Sequence, residues 1–90
     1  MTPRTERYRV APWTGAVAAQ LRAERAAAGL TQEGLAARAG VPRTTYKRME
    51  AGERAISFAQ VALVLAALPA LEMSEFVLRA ERRLATPDAE

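Results

Sequence analysis

Gly29, Gly40, Gly52 and Pro69 cut the chain into short stretches, and that punctuation constrains the fold more than any other feature. Glycine ends a helix by taking the left-handed conformation without a Cβ clash, and proline cannot continue one. The stretches between these residues carry apolar positions at helical spacing, and none shows the alternation of a half-buried strand. Helices this short are marginal alone and must bury a face against each other. The expectation is an all-α, compact five-helix bundle.

The boundaries follow from local chemistry. Residues 1–13 hold two prolines and an Arg-rich stretch without helical periodicity, which reads as a flexible basic N-terminal arm ending at Pro12 and Trp13. Thr14 is the candidate N-cap of a first helix over 14–28, with Val17, Ala18, Leu21 and Ala28 inward and Gly29 as its stop. Thr31 caps a second helix over 32–38, with Glu33 in the first turn where the helix dipole favours a carboxylate. Leu35, Ala36 and Ala39 turn inward. Pro42 opens a third helix over 42–51, a position where its missing N–H has no intrahelical partner. Ser57 and Gln60 form a capping-box pattern ahead of a fourth helix over 57–67, whose buried face is Phe58, Val61, Val64, Leu65 and Leu68. A last helix, starting at 71 or 74 and ending at 85, presents Phe76, Val77, Ala80 and Leu84 on one face. Residues 86–90 read as a disordered tail. A single domain thus spans 14–85.

Composition narrows the chemistry. The chain has no Cys and no His, which removes disulfides, most zinc sites, thiol nucleophiles and imidazole acid–base catalysis. Its carboxylates are dispersed over different helices, and no Gly-rich phosphate loop or metal-ligand cluster is present. No enzyme, metal or cofactor is expected. The longest apolar run, VALVLAAL at 61–68, is too short to span a bilayer, and no signal peptide is legible. A cytoplasmic location is the expectation. Residues 1–54 carry ten Arg or Lys against five Glu, and residues 55–90 three Arg against five acids. A polyanion such as nucleic acid therefore suits the N-terminal half.

Residues 32–51 meet the steric demands of a helix-turn-helix unit. Gly40 supplies the turn, Ala36 lets the two helices cross closely, and Leu35, Ala39, Val41, Tyr46 and Met49 supply the apolar contacts. The spacing puts Tyr46 in the core with Met49 rather than in a stacking role.

The string LRAERAAAGLTQEGLAARAGVPRTTYKRMEAGER, residues 21–54, resembles the lambda-repressor-like, Xre/Cro-type helix-turn-helix proteins of phages and bacteria. The resemblance extends over about 14–68. It implies a lambda-repressor-like DNA-binding domain whose third helix enters the major groove of double-stranded DNA with its N-terminal residues facing base edges. The outward positions on that helix are Pro42, Arg43, Thr44, Lys47 and Arg48. Arg43 has the fork to donate to guanine O6 and N7. Arg48 suits a base or a phosphate, Thr44 a thymine methyl or a phosphate, and Lys47 a phosphate. Gln32 matches the glutamine that the family uses to bind phosphate and brace the recognition helix. Gly52 and Arg54 match the segment that touches the backbone beyond that helix. Arg25 and Glu50 match two family positions that pair with each other. Arg22 and Arg38 read as solvated surface before phosphate contacts, and Trp13 as packing for the arm. Arg4, Arg7 and Arg9 are possible minor-groove contacts beside the plainer reading of a tail.

The expected function is that of a sequence-specific transcriptional regulator, in the first instance a repressor: a phage immunity or Cro-like protein, a restriction–modification controller, or a small bacterial regulator. One such module reads few bases, so a homodimer on a palindromic operator is expected. Phe76, Val77, Ala80 and Leu84 suit either a dimer contact or cover for the fourth helix. The alternative is an antitoxin or adaptor that turns the same bundle to a protein partner; the acid-free run from Val41 to Met49 speaks against it. The absence of a sensing or cleavage domain suits a minimal regulator or a fragment.

Overall fold

The computed structural model describes residues 10–53, 56–69 and 71–85. Five α-helices occupy them: α1 (Val10–Ala27), α2 (Gln32–Ala39), α3 (Arg43–Ala51), α4 (Phe58–Ala66) and α5 (Met73–Ala85). The fold is all-α, as the punctuation requires.

α1 begins ahead of the expected boundary. Thr14 is not an N-cap; it lies inside the helix and is buried. Pro12 does not prevent this, because the first-turn N–H groups have no intrahelical acceptor and a proline there loses nothing. Trp13 is part of the helix and half-buried. The rest of the expected arm, residues 1–9 with Arg4, Arg7 and Arg9, lies outside the described residues, as do Arg54 and the tail 86–90.

The turns are built as their residues dictate. Thr31, extended at ψ 165°, accepts a hydrogen bond from the Gly34 N–H at 2.9 Å and so caps α2. Gly40 ends α2 at φ 70°, and the following Val41 N–H reaches back to the Ala36 carbonyl at 3.0 Å. That back-bond satisfies a helix-end carbonyl while it turns the chain. Pro42 stands one residue outside α3 as its N-cap, with φ −56° and ψ 141°. Ser57 caps α4, accepting from the Gln60 N–H at 3.0 Å.

The core gathers Leu21 from α1, Leu35, Ala36 and Ala39 from α2, Tyr46 and Met49 from α3, Val61, Val64 and Leu65 from α4, and Phe76 from α5, with Val41 and Leu68 between helices. α1 lies against α3 and α5, while α2 lies against α3 and α4. Phe58 departs from its expected place: it is 72% exposed. As the first residue of α4 it outruns the core that Val61 and Leu65 close.

α5 resolves the two uses open to its apolar stripe. Phe76 and Ala80 are fully buried within the chain, so they cover its own core and are not available to a partner. Val77 is exposed and Leu84 half-buried. A polar seam locks α5 to α1: Arg79 Nη1 donates to Glu24 Oε2 at 2.7 Å, Arg83 Nε to Gln20 Oε1 at 2.8 Å, and Gln20 Nε2 to Glu24 Oε2 at 2.7 Å. Among the described residues no helix is long and apolar enough to cross a membrane.

Candidate nucleic-acid interface

α3 has two faces of different chemistry. Tyr46, Met49 and Glu50 are buried, whereas Pro42, Arg43, Thr44, Lys47 and Arg48 are exposed. The division follows from helical spacing, since Met49 and Glu50 lie three and four residues beyond Tyr46 and so share its side of the helix. The outward side is thus left with three cations and a hydroxyl.

The inward side is held by a buried carboxylate. Glu50 is 2% exposed and accepts four hydrogen bonds. Arg25 Nε reaches Oε2 at 2.6 Å and Arg25 Nη2 reaches Oε1 at 3.1 Å. Gln32 Nε2 donates to Oε1 at 2.9 Å, and the Tyr46 hydroxyl donates to Oε2. Four donors match the capacity of one carboxylate. No buried side-chain nitrogen or oxygen among the described residues lacks a partner. Burial pushes the Glu50 carboxyl up, but the hydrogen bonds from Arg25, Tyr46 and Gln32, with the charge of Arg25, hold it below the usual carboxylate range. Burial, followed by the hydrogen bond to this carboxylate, pushes the Tyr46 phenol well up. The hydrogen bond to Glu50 raises Arg25 against the opposing effect of burial.

The cluster ties three helices together at the base of the outward face. Arg25 comes from α1 and Gln32 from α2, and both converge on Glu50 near the end of α3. Arg22 joins them, donating through Nη1 to the Glu50 carbonyl oxygen. It is neither plain solvated surface nor a free cation. It caps the C-terminal end of the helix, where a positive charge also suits the dipole. Arg25 further donates to the Leu30 carbonyl at 2.9 Å, which fixes the turn between α1 and α2.

The sequence-predicted residues divide accordingly. Arg43, Thr44, Lys47 and Arg48 share one exposed surface with Pro42. Gln32 is half-buried and has committed its Nε2 to Glu50, leaving that nitrogen's second hydrogen and the amide oxygen. It stands at the start of α2, where the Gln32 and Glu33 backbone N–H groups have no intrahelical acceptor by position. Gly52 ends α3 at φ 67°, and a Cβ on it would sit 3.4 Å from Ala18 Cβ and 3.7 Å from the Thr14 carbonyl oxygen. It therefore seats α3 on α1. Arg38 is exposed in the last turn of α2.

Two features of the site escape a reading along the chain. The Tyr46 hydroxyl serves Glu50 across one helical turn, a spacing visible in the sequence only once Glu50 is known to be buried. Glu33 lies beside Arg43, with Arg43 Nη1 3.8 Å from Glu33 Oε2. No sequence spacing links those two, because the turn between α2 and α3 creates the proximity. Among the described residues no group of acidic side chains is placed to hold a metal ion.

No curated protein and no solved structure matches the chain. A helix-turn-helix family model matches residues 21–76, more than half of the chain, from the middle of α1 into α5. The chain belongs to the Xre/Cro/lambda-repressor-like helix-turn-helix family, a family of DNA-binding domains.

Proposed function

We propose that this protein is a sequence-specific double-stranded DNA-binding transcriptional regulator that acts as a repressor, of the phage immunity, Cro-like or small bacterial type, working in the cytoplasm at the nucleoid. The observation that carries the proposal is the outward face of α3, where Arg43, Lys47 and Arg48 stand exposed together while the opposite face is anchored by Glu50. A rigid helix with a basic outer face is the shape the major groove admits.

In this reading α3 enters the groove by its N-terminal end. Pro42 and Thr44 pack on sugar, phosphate or a thymine methyl, and Arg43 donates its fork to guanine O6 and N7. Lys47 and Arg48 neutralise phosphates. The second Nε2 hydrogen of Gln32 and the free N–H groups beginning α2 receive another phosphate. Gly52 and Arg54 approach the backbone beyond α3, and Arg4, Arg7 and Arg9 reach the minor groove. Two copies bind a palindrome, with Val77 and the adjacent Leu78, exposed at 39% and 48%, as the apolar surface α5 has left to offer.

Electrophoretic shift with random and genomic duplexes at low salt tests the reading. Binding that is lost in Arg43→Ala/Arg48→Ala is expected. No shift with the wild-type chain, or a shift that survives the double substitution, would overturn it.

A further inference from the structure

We propose that Glu33 is a specificity-determining residue: its carboxylate lets Arg43 read a neutral base edge and penalises the use of the same arginine on a phosphate. The inference rests on the DNA-binding reading above and goes beyond it, since an acidic side chain at a DNA-facing surface is otherwise a plain cost to affinity.

The geometry is the starting point. Arg43 opens α3 and is the outward residue nearest its N-terminus; Glu33 lies in the first turn of α2. The side chains are 61% and 53% exposed, and Arg43 Nη1 stands 3.8 Å from Glu33 Oε2. Lys47 and Arg48, on the same helix, have no acidic side chain within ion-pair distance among the described residues. The turn at Gly40 therefore brings a carboxylate to one cation of the face and not to the others.

The chemistry of the guanidinium gives this placement a consequence. Arginine carries five N–H donors spread over two edges and an end, so it can hold a carboxylate with one part and an acceptor pair with another. When the acceptors are guanine O6 and N7, which are neutral, Glu33 is a buttress that limits the rotamers of an exposed side chain. When the acceptor is a phosphate, Glu33 faces a second anion across the same arginine. The repulsion of like charges at that range in a mostly aqueous setting amounts to about three- to tenfold in affinity. Non-specific complexes are dominated by phosphate contacts, and specific ones add base contacts. The penalty therefore falls more heavily on the wrong sites. The carboxylate also suits the dipole at the start of α2, but that role concerns stability and does not distinguish one DNA from another.

The test uses the full chain and a preferred site obtained by selection from a random DNA pool. Affinities of the wild type, Glu33→Gln, Arg43→Ala and the double variant are measured on that site and on a random duplex of equal length. Glu33→Gln is expected to tighten binding to random DNA by about three- to tenfold more than it tightens binding to the preferred site, so the specificity ratio falls by that factor. In the Arg43→Ala background the same substitution is expected to move both DNAs equally. An equal gain on both DNAs with Arg43 present would overturn the proposal and leave Glu33 as general negative charge. A loss of discrimination in Glu33→Gln that persists without Arg43 would overturn it too. Absence of wild-type binding to any DNA would instead bring down the DNA-binding reading, with this inference along with it.

Discussion

Arg25 and Glu50 stand 25 residues apart in sequence and 2.6 Å apart in the fold, joining α1 to the end of α3 by two parallel hydrogen bonds. Removing the arginine leaves a carboxylate that is 2% exposed without its cation. Breaking a buried pair in this way costs about 3–5 kcal/mol. Because Arg25 itself is 22% exposed, Arg25→Met is expected at the lower end of that range, measured by urea unfolding. A change below about 1 kcal/mol would show that water replaces the pair.

The same carboxylate sets the acid side of the stability profile. Its folded pKa is lowered, so the native state favours the ionised form. The stabilisation is fully present above the unfolded carboxylate value of about 4.3 and is lost as pH falls through the lower folded value. Tyr46 acts with the opposite sign. Its raised pKa gives stabilisation that is full below about pH 10 and lost as pH rises past it. Thermal melts across pH should show both limbs, with Glu50→Gln flattening the acid limb and Tyr46→Phe the alkaline one.

Gly40 turns the chain between α2 and α3 at φ 70°, and an added Cβ there meets no atom within 4 Å. Gly40→Ala is therefore strained by backbone conformation alone and should cost about 1 kcal/mol in denaturant unfolding. A loss several times larger would mean that the helix crossing itself had shifted.

On DNA, Lys47 and Arg43 should separate. Lys47→Ala is expected to weaken binding to every duplex and to reduce the slope of log K against log salt by about 1. Arg43→Ala should relax base choice at one position of the selected site. Equal losses on selected and random DNA for Arg43→Ala would show that it reads no base.

Phe76 is 1% exposed and belongs to the core, whereas Val77 beside it is exposed. Phe76→Ala should cost about 3–5 kcal/mol of stability by leaving a cavity. Val77→Asp should leave the melt nearly unchanged while shifting a dimer to monomer in sedimentation. A monomeric wild-type chain, or a dimer indifferent to Val77→Asp, would remove α5 from the interface.

Much of the fold and of the candidate site can be read along the chain. Thr31, Gly40, Gly52 and Ser57 mark helix ends through rules that act within four residues. The outward run Arg43, Thr44, Lys47, Arg48 follows from the helical period once Tyr46 and Met49 are assigned inward. What resisted reading depends on packing. Thr14 has the residue type of a cap, but the helix continues ahead of it. Phe58 keeps the spacing of its buried neighbours yet lies past the end of the core. Phe76 and Ala80 carry a stripe whose use depends on which helix reaches it first.

Along the chain, local backbone preference and periodicity specify the turns, the face that α3 turns outward and the five helices of the described residues, while the family follows from the motif string over residues 21–54. The tertiary structure adds that Gln32 and Tyr46 join the expected Arg25–Glu50 pair, that Arg22 caps α3, that α5 spends Phe76 on its own core, and that Glu33 stands beside Arg43. Each joins groups from elements whose relative placement is set by close packing across the bundle, and no local rule carries that distance.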